Sequence, residues 1–186
     1  SIYQVEDFEK YSASINLGTF VTRGVLDRKV TEGVSQTLNS KNFDVGFDAT
    51  ATLSKKINLI NNWQINPSVS FNTTYIIQDD INESGGDLAL DVKTNNLLIA
   101  KPELGFDLNK VFIDTETRNK QFNFSLYGSL ESKLDGTTSN AKIKDTGSTF
   151  NIIDNNKDDK FVSLGIGYTD FNKENNKEHS FSLFRT

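Results

Sequence analysis

The sequence predicts an all-β fold, an antiparallel up-and-down β-barrel with transmembrane strands, and three observations carry that expectation. Apolar and polar residues alternate with a period of two over long segments. At about 10–13 residues, these segments have the length a tilted strand needs to cross a bilayer, whereas soluble strands are nearer five or six. Their polar face is dressed mainly with Ser, Thr, Asn, Gln and Gly, with Lys101 its one basic residue. A crowded lumen suits such side chains better than a water-exposed sheet, which is normally guarded by Lys and Glu. The apolar face of the same segments carries no charge.

Each strand rests on its own pattern. Segment 11–21 presents Tyr11, Ala13, Ile15, Leu17 and Val21 on one face. In 43–53 every odd position is apolar, from Phe43 through Phe47 to Leu53, and every even one is polar or Gly. In 63–75, Trp63, Ile65, Pro67, Val69, Phe71, Thr73 and Tyr75 alternate with Gln64, Asn66, Ser68, Ser70, Asn72 and Thr74. Segments 98–108, 122–131 and 162–169 behave alike, and 86–93 and 179–185 are weaker. About eight strands result. Residues 1–186 read as a single barrel domain, with 1–10 as an irregular lead-in containing Glu6, Asp7 and Glu9. Pro67 and Pro102 lie mid-strand and cannot donate to a ladder, so each is expected at a bulge or where the neighbouring strand has ended. The connections 22–42, 54–62, 76–87, 94–97 and 109–121 alternate in length, as in outer-membrane barrels. The alternation fails at 132–161, where a further weak strand around Phe150 and Ile152 is indicated.

Composition removes several classes of function. The net charge is −5, which leaves no basic surface for nucleic acid. The chain has no Cys, which excludes disulfides, thiolate zinc sites and Cys nucleophiles. No run of 18 apolar residues exists, so no helix is expected to span a membrane. The chain opens at Ser1 without a signal peptide and reads as a processed chain or an excised piece.

The candidate chemistry is thin. Asp154, Asn156 and Asp158 have the spacing of a calcium loop, but Asp159 stands where Gly belongs and Gly165 where Glu belongs. Asp79, Asp80 and Glu83 form an acidic loop tip with weak cation-binding character. His179, the only histidine, adjoins Ser180, yet neighbouring strand residues point to opposite faces, a poor arrangement for base and nucleophile. Gly165-Ile166-Gly167 lacks the third Gly and the helix of a dinucleotide site. Asp44, Asp48, Lys101, Glu103, Asp107 and Glu131 occupy polar-face positions and point into the lumen of a barrel. There they order water or brace a plug rather than catalyse. Tyr11, Trp63, Tyr75 and Tyr168 sit near segment ends, as an interfacial aromatic girdle does. No cofactor or metal is expected, and no enzymatic activity.

Alternation alone also admits a soluble, secreted β-sandwich or barrel acting as a binding module, with its apolar face inward. A complete eight-stranded outer-membrane barrel, filled by side chains and serving a binding or structural role, is a second alternative.

One stretch is less generic. Trp63-Gln64-Ile65-Asn66-Pro67 opens a long strand, Asn82-Glu83-Ser84-Gly85-Gly86 follows, and then Leu88-Ala89-Leu90-Asp91-Val92. This resembles the C-terminal β-domain of autotransporters, with its W-x-I/L-x-P, its acidic loop bearing E-x-G-G, and its next alternating strand. Arg23-Gly24-Val25, Pro102-Glu103-Leu104-Gly105 and Leu164-Gly165-Ile166-Gly167-Tyr168 fall at similar places, and the likeness covers about 11–170. The resemblance implies a bacterial outer-membrane translocator or pore-like domain in contact with lipid. It also implies surface loops, insertion by the barrel-assembly machinery and a passenger polypeptide. Barrels of that family have twelve strands, so the chain is expected to be either a slice of one or a smaller relative.

Overall fold

The computed structural model describes residues 1–8, 10–31, 35–155, 158–172, 174 and 177–185. Among the described residues thirteen strands succeed one another. They are β1 (Ile2–Phe8), β2 (Tyr11–Val30), β3 (Gln36–Lys55), β4 (Ile57–Asn58), β5 (Trp63–Ile77), β6 (Ile81–Asn82), β7 (Leu90–Lys93), β8 (Leu97–Asp114), β9 (Arg118–Asp135), β10 (Thr138–Ile143), β11 (Thr149–Ile153), β12 (Asp158–Asn172) and β13 (Lys177–Arg185). The main sheet runs β1-β2-β3-β5-β8-β9-β12-β13, with the short β4 also on β5. Every pairing is antiparallel. The sheet curls into a half-barrel. No α-helix occurs among the described residues.

The prolines sit where a ladder can spare a donor. The β3–β5 ladder stops at Ser54↔Ser68 and β4–β5 resumes at Ile57↔Ile65, which leaves Pro67 in the gap. Between β8 and β9, Ala100↔Ser132 and Glu103↔Ser129 are paired and Pro102 is not.

The second sheet, β11-β10-β7-β6, is built from the upper continuations of main-sheet strands. β5 breaks at 78–80 and resumes as β6, β7 leads through 94–96 into β8, β9 passes through 136–137 into β10, and β11 precedes β12. Side chains satisfy the backbone where the ladders break. Asp80 accepts from the Thr94 N–H at 3.1 Å and from Lys93 Nζ at 2.5 Å. Thr94 Oγ1 donates to the Gln78 and Asp79 carbonyls, both at 3.2 Å. Asn95 Nδ2 donates to the Thr138 carbonyl at 2.7 Å.

Four expectations are corrected here. Residues 22–42 are not a long connection, because β2 and β3 pair without a break up to Val30↔Gln36. Residues 2–8 form strand β1 rather than an irregular lead-in, because pairing with β2 from Ile2↔Leu17 to Phe8↔Tyr11 overrides their broken side-chain pattern. Segment 86–93 is no transmembrane strand; only Leu90–Lys93 is extended, and it lies in the second sheet. Residues 109–121 are not a long loop, since β8 and β9 run on to a turn at Thr115–Thr117 closed by the Thr115 N–H on the Arg118 carbonyl at 2.9 Å. With these changes the loop alternation no longer fails. One end of the sheet carries the connections from β1 to β2, β3 to β5, β8 to β9 and β12 to β13, and the other carries those from β2 to β3, β5 to β8 and β9 to β12. In the link 56–62, Asn61 and Asn62 take positive φ of 57° and 60°, a conformation Asn tolerates. The weak strand around Phe150 and Ile152 is β11.

At the long-loop end the side-chain pattern inverts. The β2–β3 register is unbroken from Tyr11↔Lys55 to Val30↔Gln36, so Leu38 and Ser40 share a face with Asp44 and Asp48. Leu38 and Ser40 are buried, whereas Thr37, Asn39 and Lys41 on the opposite face are exposed. Ala89, Val92 and Ala141 complete the small buried apolar set of this end. Glu83, 2% exposed, pins the second sheet to the first. Arg28 donates to it through Nε at 2.9 Å and Nη2 at 2.6 Å, and the Leu90 N–H adds a third bond at 2.9 Å. The Arg28 hydrogen bond holds the Glu83 carboxyl below its ordinary value of 4.5 against the opposing effect of burial.

Arg28→Ala is expected to loosen the second sheet by about 3 kcal/mol, the low end for breaking a buried pair because the Arg28 side chain is 35% exposed. Hydrogen exchange at the Asn39 and Ser84 amides, which pair across this junction, reads it. Because the folded Glu83 pKa is lowered, its contribution is complete at neutral pH. It fades only as pH falls below 4.5 and through the folded value. Protection of these two amides should therefore hold at pH 7 and drop in acid in the wild type, and lose that dependence in Glu83→Gln.

Candidate functional site

The main sheet has two faces of opposite chemistry, and they constitute the site. Cross-strand partners in a ladder share a face, so the register tests whether the apolar stripes join. Ala51 lies opposite Phe71 and Leu53 opposite Val69. Val69 faces Leu104 and Pro67 faces Phe106. Phe106 faces Leu126, Leu126 faces Leu164, and Ile166 lies between Phe124 and Leu183. With Ile15 of β2 opposite Ala51, apolar meets apolar across seven strands. This face is bare: Ile15, Leu17, Phe47, Val69, Phe71, Leu104, Val162 and Phe181 are all exposed, Leu104 to 67%. An ordinary soluble sheet hides such a face.

The aromatic residues expected at segment ends border it. Trp63↔Lys110↔Phe122↔Tyr168↔Phe181 forms one row at the short-turn end. Lys110 Nζ stands 5.2 Å from the Trp63 ring centroid, and Lys55 stands 5.2 Å from that of Tyr11, its ladder partner. Below Tyr168, Asp170 is clasped by Arg118 at 2.8 and 2.6 Å. At the other end Tyr75 lies between Phe47 and Leu98, and its hydroxyl accepts from Asn96 Nδ2 at 2.7 Å. Trp63 and Tyr75 are twelve positions apart on β5. At about 3.3 Å per residue and a tilt near 40°, they are separated by about 30 Å in height.

The opposite face is half-buried and polar. Asp107 accepts from Ser125 Oγ and Tyr127 Oη, each at 2.6 Å on a different oxygen. Ser70 Oγ donates to Glu103 at 3.4 Å. Asn72 Nδ2 donates to Thr50 Oγ1 at 2.7 Å, and the Ser12 and Ser54 hydroxyls share a bond of 2.9 Å. Asp44 accepts from Asn42 Nδ2 at 3.2 Å and the Asp79 N–H at 3.0 Å. Lys101 Nζ lies 5.1 Å from the centroid of Phe161. Asp48 lies opposite Gly18 and Thr74, and Glu131 opposite Asp159. These six charged residues share a face without converging on one spot.

Sequence reasoning overlooked the aromatics that cross this polar face. Tyr127 lies opposite Gly105, and its ring fills the space a Cβ there would occupy. Phe20 covers Gly46 in the same way. The available signal was an aromatic in a polar-face position with Gly in register on the next strand. Arg28, the partner of Glu83, was also missed; Arg23, singled out instead, lies over the Phe43 ring at 5.7 Å.

The remaining candidates disperse. Asp80 and Glu83 are held by separate partners, Lys93 and Arg28. Asp154 pairs with Lys133 at 2.6 Å, and Asn156 lies outside the described residues. His179 is exposed opposite Asp170, while Ser180 lies opposite Thr169. Gly165 and Gly167 lie on the polar face opposite Ser125 and Asn123. Among the described residues no group of three His, Cys, Asp or Glu could hold a metal ion.

In lipid every backbone polar group must find its partner within the protein, and a β protein meets this demand by pairing strands into a barrel with its apolar side outward. The curled sheet, the apolar exposed face and the polar opposite face define a protein of the outer-membrane β-barrel class. The model of the family described as Autotransporter beta-domain matches residues 10–170, and the chain belongs to that family. It is a translocator barrel of the bacterial outer membrane, with a passenger polypeptide as its cargo. No curated protein matches the chain.

Gly105→Ala is expected to cost about 1–3 kcal/mol, the usual range for an overpacked site, since the Tyr127 ring must swing off Asp107. Adding Tyr127→Ala should recover part of that loss. Reversible unfolding from lipid vesicles checks both.

Proposed function

We propose that the bare apolar face meets membrane lipid and that the polar face lines the passage through which the passenger crosses. The observation that supports this most directly is the in-register continuity of the exposed apolar face from β2 to β13. Tyr11, Trp63 and Tyr168 then lie at one membrane interface and Tyr75 at the other, with about 30 Å of height between Trp63 and Tyr75 to match a hydrocarbon core of about that thickness. Short links face the periplasm and the long connections 78–96 and 136–157 face the cell surface, following the usual asymmetry of such barrels. Insertion falls to the barrel-assembly machinery that the family implies.

The lumen has no catalytic role in this reading. Asp44, Asp48, Lys101, Glu103, Asp107 and Glu131 keep the wall wet and ordered. Both oxygens of Asp107 are occupied by hydroxyl donors, which suits bracing better than proton transfer. A wall of hydroxyls and amides offers a moving chain weak contacts that are easily exchanged.

Two measurements test the arrangement. Val69 is equidistant from Trp63 and Tyr75 on β5 and falls at the midplane. Val69→Arg should cost about 2–4 kcal/mol in vesicle unfolding, and Ser70→Arg on the lumen face much less; equal costs would mean that neither face meets lipid. Because the chain has no Cys, Lys142→Cys and Thr117→Cys can be probed alone. An impermeant maleimide should label Lys142→Cys in intact cells and Thr117→Cys only after the outer membrane is opened. The reverse pattern would invert the orientation. Asp107→Asn should leave the length of the exported polypeptide unchanged on a gel; a change would give the lumen a chemical role.

A further inference from the structure

Just below the aromatic row at the short-turn end, the apolar face of the sheet turns basic. Lys110 belongs to the row itself, between Trp63 and Phe122. One side-chain step further down, Lys120, Asp170 and His179 lie side by side on β9, β12 and β13. Lys120 is the diagonal neighbour of Lys110 across the β8–β9 ladder, and Arg118 occupies the same face of β9. Arg118 Nη2 reaches Asp170 Oδ2 at 2.6 Å, and Lys120 Nζ approaches the same oxygen at 3.5 Å. One carboxylate therefore draws two cations together and neutralises only one of them. Among the described strand residues, Asp170 is the sole carboxylate below the row on this face of β8, β9, β12 and β13. Three cations, Lys110, Arg118 and Lys120, against one carboxylate leave an excess of two positive charges, before the exposed His179 is counted. This excess stands in a chain whose net charge is −5. The Arg118 and Lys120 side chains are still 49% and 26% exposed, so both can reach a further partner.

We propose that this patch binds the phosphate of an anionic phospholipid in the membrane leaflet at the short-turn end. The proposal rests on the reading of the apolar face as lipid-facing. Position favours this occupant. Two residues along a strand advance about 6.6 Å, or about 5 Å in height at a tilt near 40°. The cluster therefore lies in the headgroup layer, which is about 5–8 Å thick on each side of the hydrocarbon core. A phosphate held there is tethered to acyl chains, and the apolar face above gives them a surface to lie on: Phe181 and Leu183 are 65% and 60% exposed. Chemistry favours it as well. Arg118 spends Nε and Nη2 on Asp170, which leaves Nη1 to donate to a phosphate oxygen. Lys120 and Lys110 add compact charges beside it. Asp170 holds Arg118 and Lys120 in place beforehand, so little side-chain freedom is lost on binding. A zwitterionic headgroup brings its own cation and leaves the excess charge unmet, whereas a net negative one meets it.

Native mass spectrometry of the full-length polypeptide, folded in detergent micelles, tests this. Phosphatidylglycerol should remain bound at concentrations where phosphatidylcholine does not. Lys110→Gln combined with Lys120→Gln should weaken phosphatidylglycerol binding about 30-fold, about fivefold for each charge removed, while the Arg118–Asp170 pair stays intact. A charge-matched pair at the other end, Lys41→Gln with Lys142→Gln, should leave binding unchanged. A heat-modifiable band on an unboiled gel confirms that each variant has folded. Lys120→Gln alone, with about a fivefold loss, replaces the double variant if that one fails to fold. Equal binding of the two lipids, or an equal loss in the charge-matched pair, would overturn the proposal. So would displacement of the lipid by an equal concentration of glycerol phosphate, which would assign the patch to a soluble phosphate ester. The comparison of Val69→Arg with Ser70→Arg, made in neutral phosphatidylcholine vesicles, does not read this site. If those two costs differ and phosphatidylglycerol binding ignores the lysines, the lipid-facing reading stands and this proposal alone falls; if they are equal, both fall.

Discussion

A chain that sits in lipid has no water with which to satisfy its backbone, and this constraint governs the rest of the structure. Each N–H and C=O within the apolar band must be paired by a neighbouring strand. Consecutive strands therefore pair with one another through tight turns, and the two residues that cannot donate, Pro67 and Pro102, fall at gaps in a ladder. Once the backbone is committed to extended pairing, side chains alternate between two faces. One face is apolar along its middle, and from β2 to β13 it stays so in register.

The inner face answers to a different cost. Polar groups withdrawn from bulk water need partners, and the polar face supplies them between strands: Ser125 and Tyr127 to Asp107, Asn72 to Thr50, Ser12 with Ser54. Tyr127 on β9 reaches Asp107 on β8 by lying across its ladder partner Gly105, two positions from Asp107, which contributes no side chain. Packing and hydrogen bonding thus solve one problem together. The ring fills the space above the glycine, and its hydroxyl completes the carboxylate.

Most of the transmembrane architecture was legible in the sequence because the lipid-facing constraint is strict and local. Seven of the expected strands are present, with the apolar face where alternation placed it. The errors arose where that constraint is relaxed. β1 has no clean alternation, since Glu6 and Asp7 interrupt it, and only its pairing with β2 makes it a strand. Leu88, Leu90 and Val92 do alternate, but they serve a small water-exposed sheet with an apolar interior, so the same period carries the opposite meaning. A two-residue period reports that one side is apolar without reporting whether lipid or a core lies on it. The same ambiguity misplaced the loops, because counting 86–93 as a spanning strand shifted every later connection to the wrong end. Asp44, Asp48, Lys101, Glu103, Asp107 and Glu131 share one face of the sheet, opposite the apolar one. Their partners were beyond reach, because Tyr127, Ser125 and Asp107 are brought together by register, which the sequence does not state.

The glycine-bearing acidic motif shows what this inversion requires. Glu83 lies where the barrel leaves the apolar band and its second sheet must fold against β3. Arg28 and Leu38 are ladder partners on β2 and β3, and Glu83 grips the first while the chain beyond it lies against the second. Gly85 takes a φ of +110°, and a Cβ there would strike the Thr37 carbonyl, so a side chain would be both strained and obstructed. The turn then carries the chain onward so that the Leu88 carbonyl accepts from Arg28 Nη2 at 2.9 Å. One buried carboxylate and one unencumbered backbone position thus hold the second sheet on β3. The acidic, glycine-bearing part of the motif that gave the sequence its family likeness belongs to the junction between the two sheets rather than to the polar face of the main sheet.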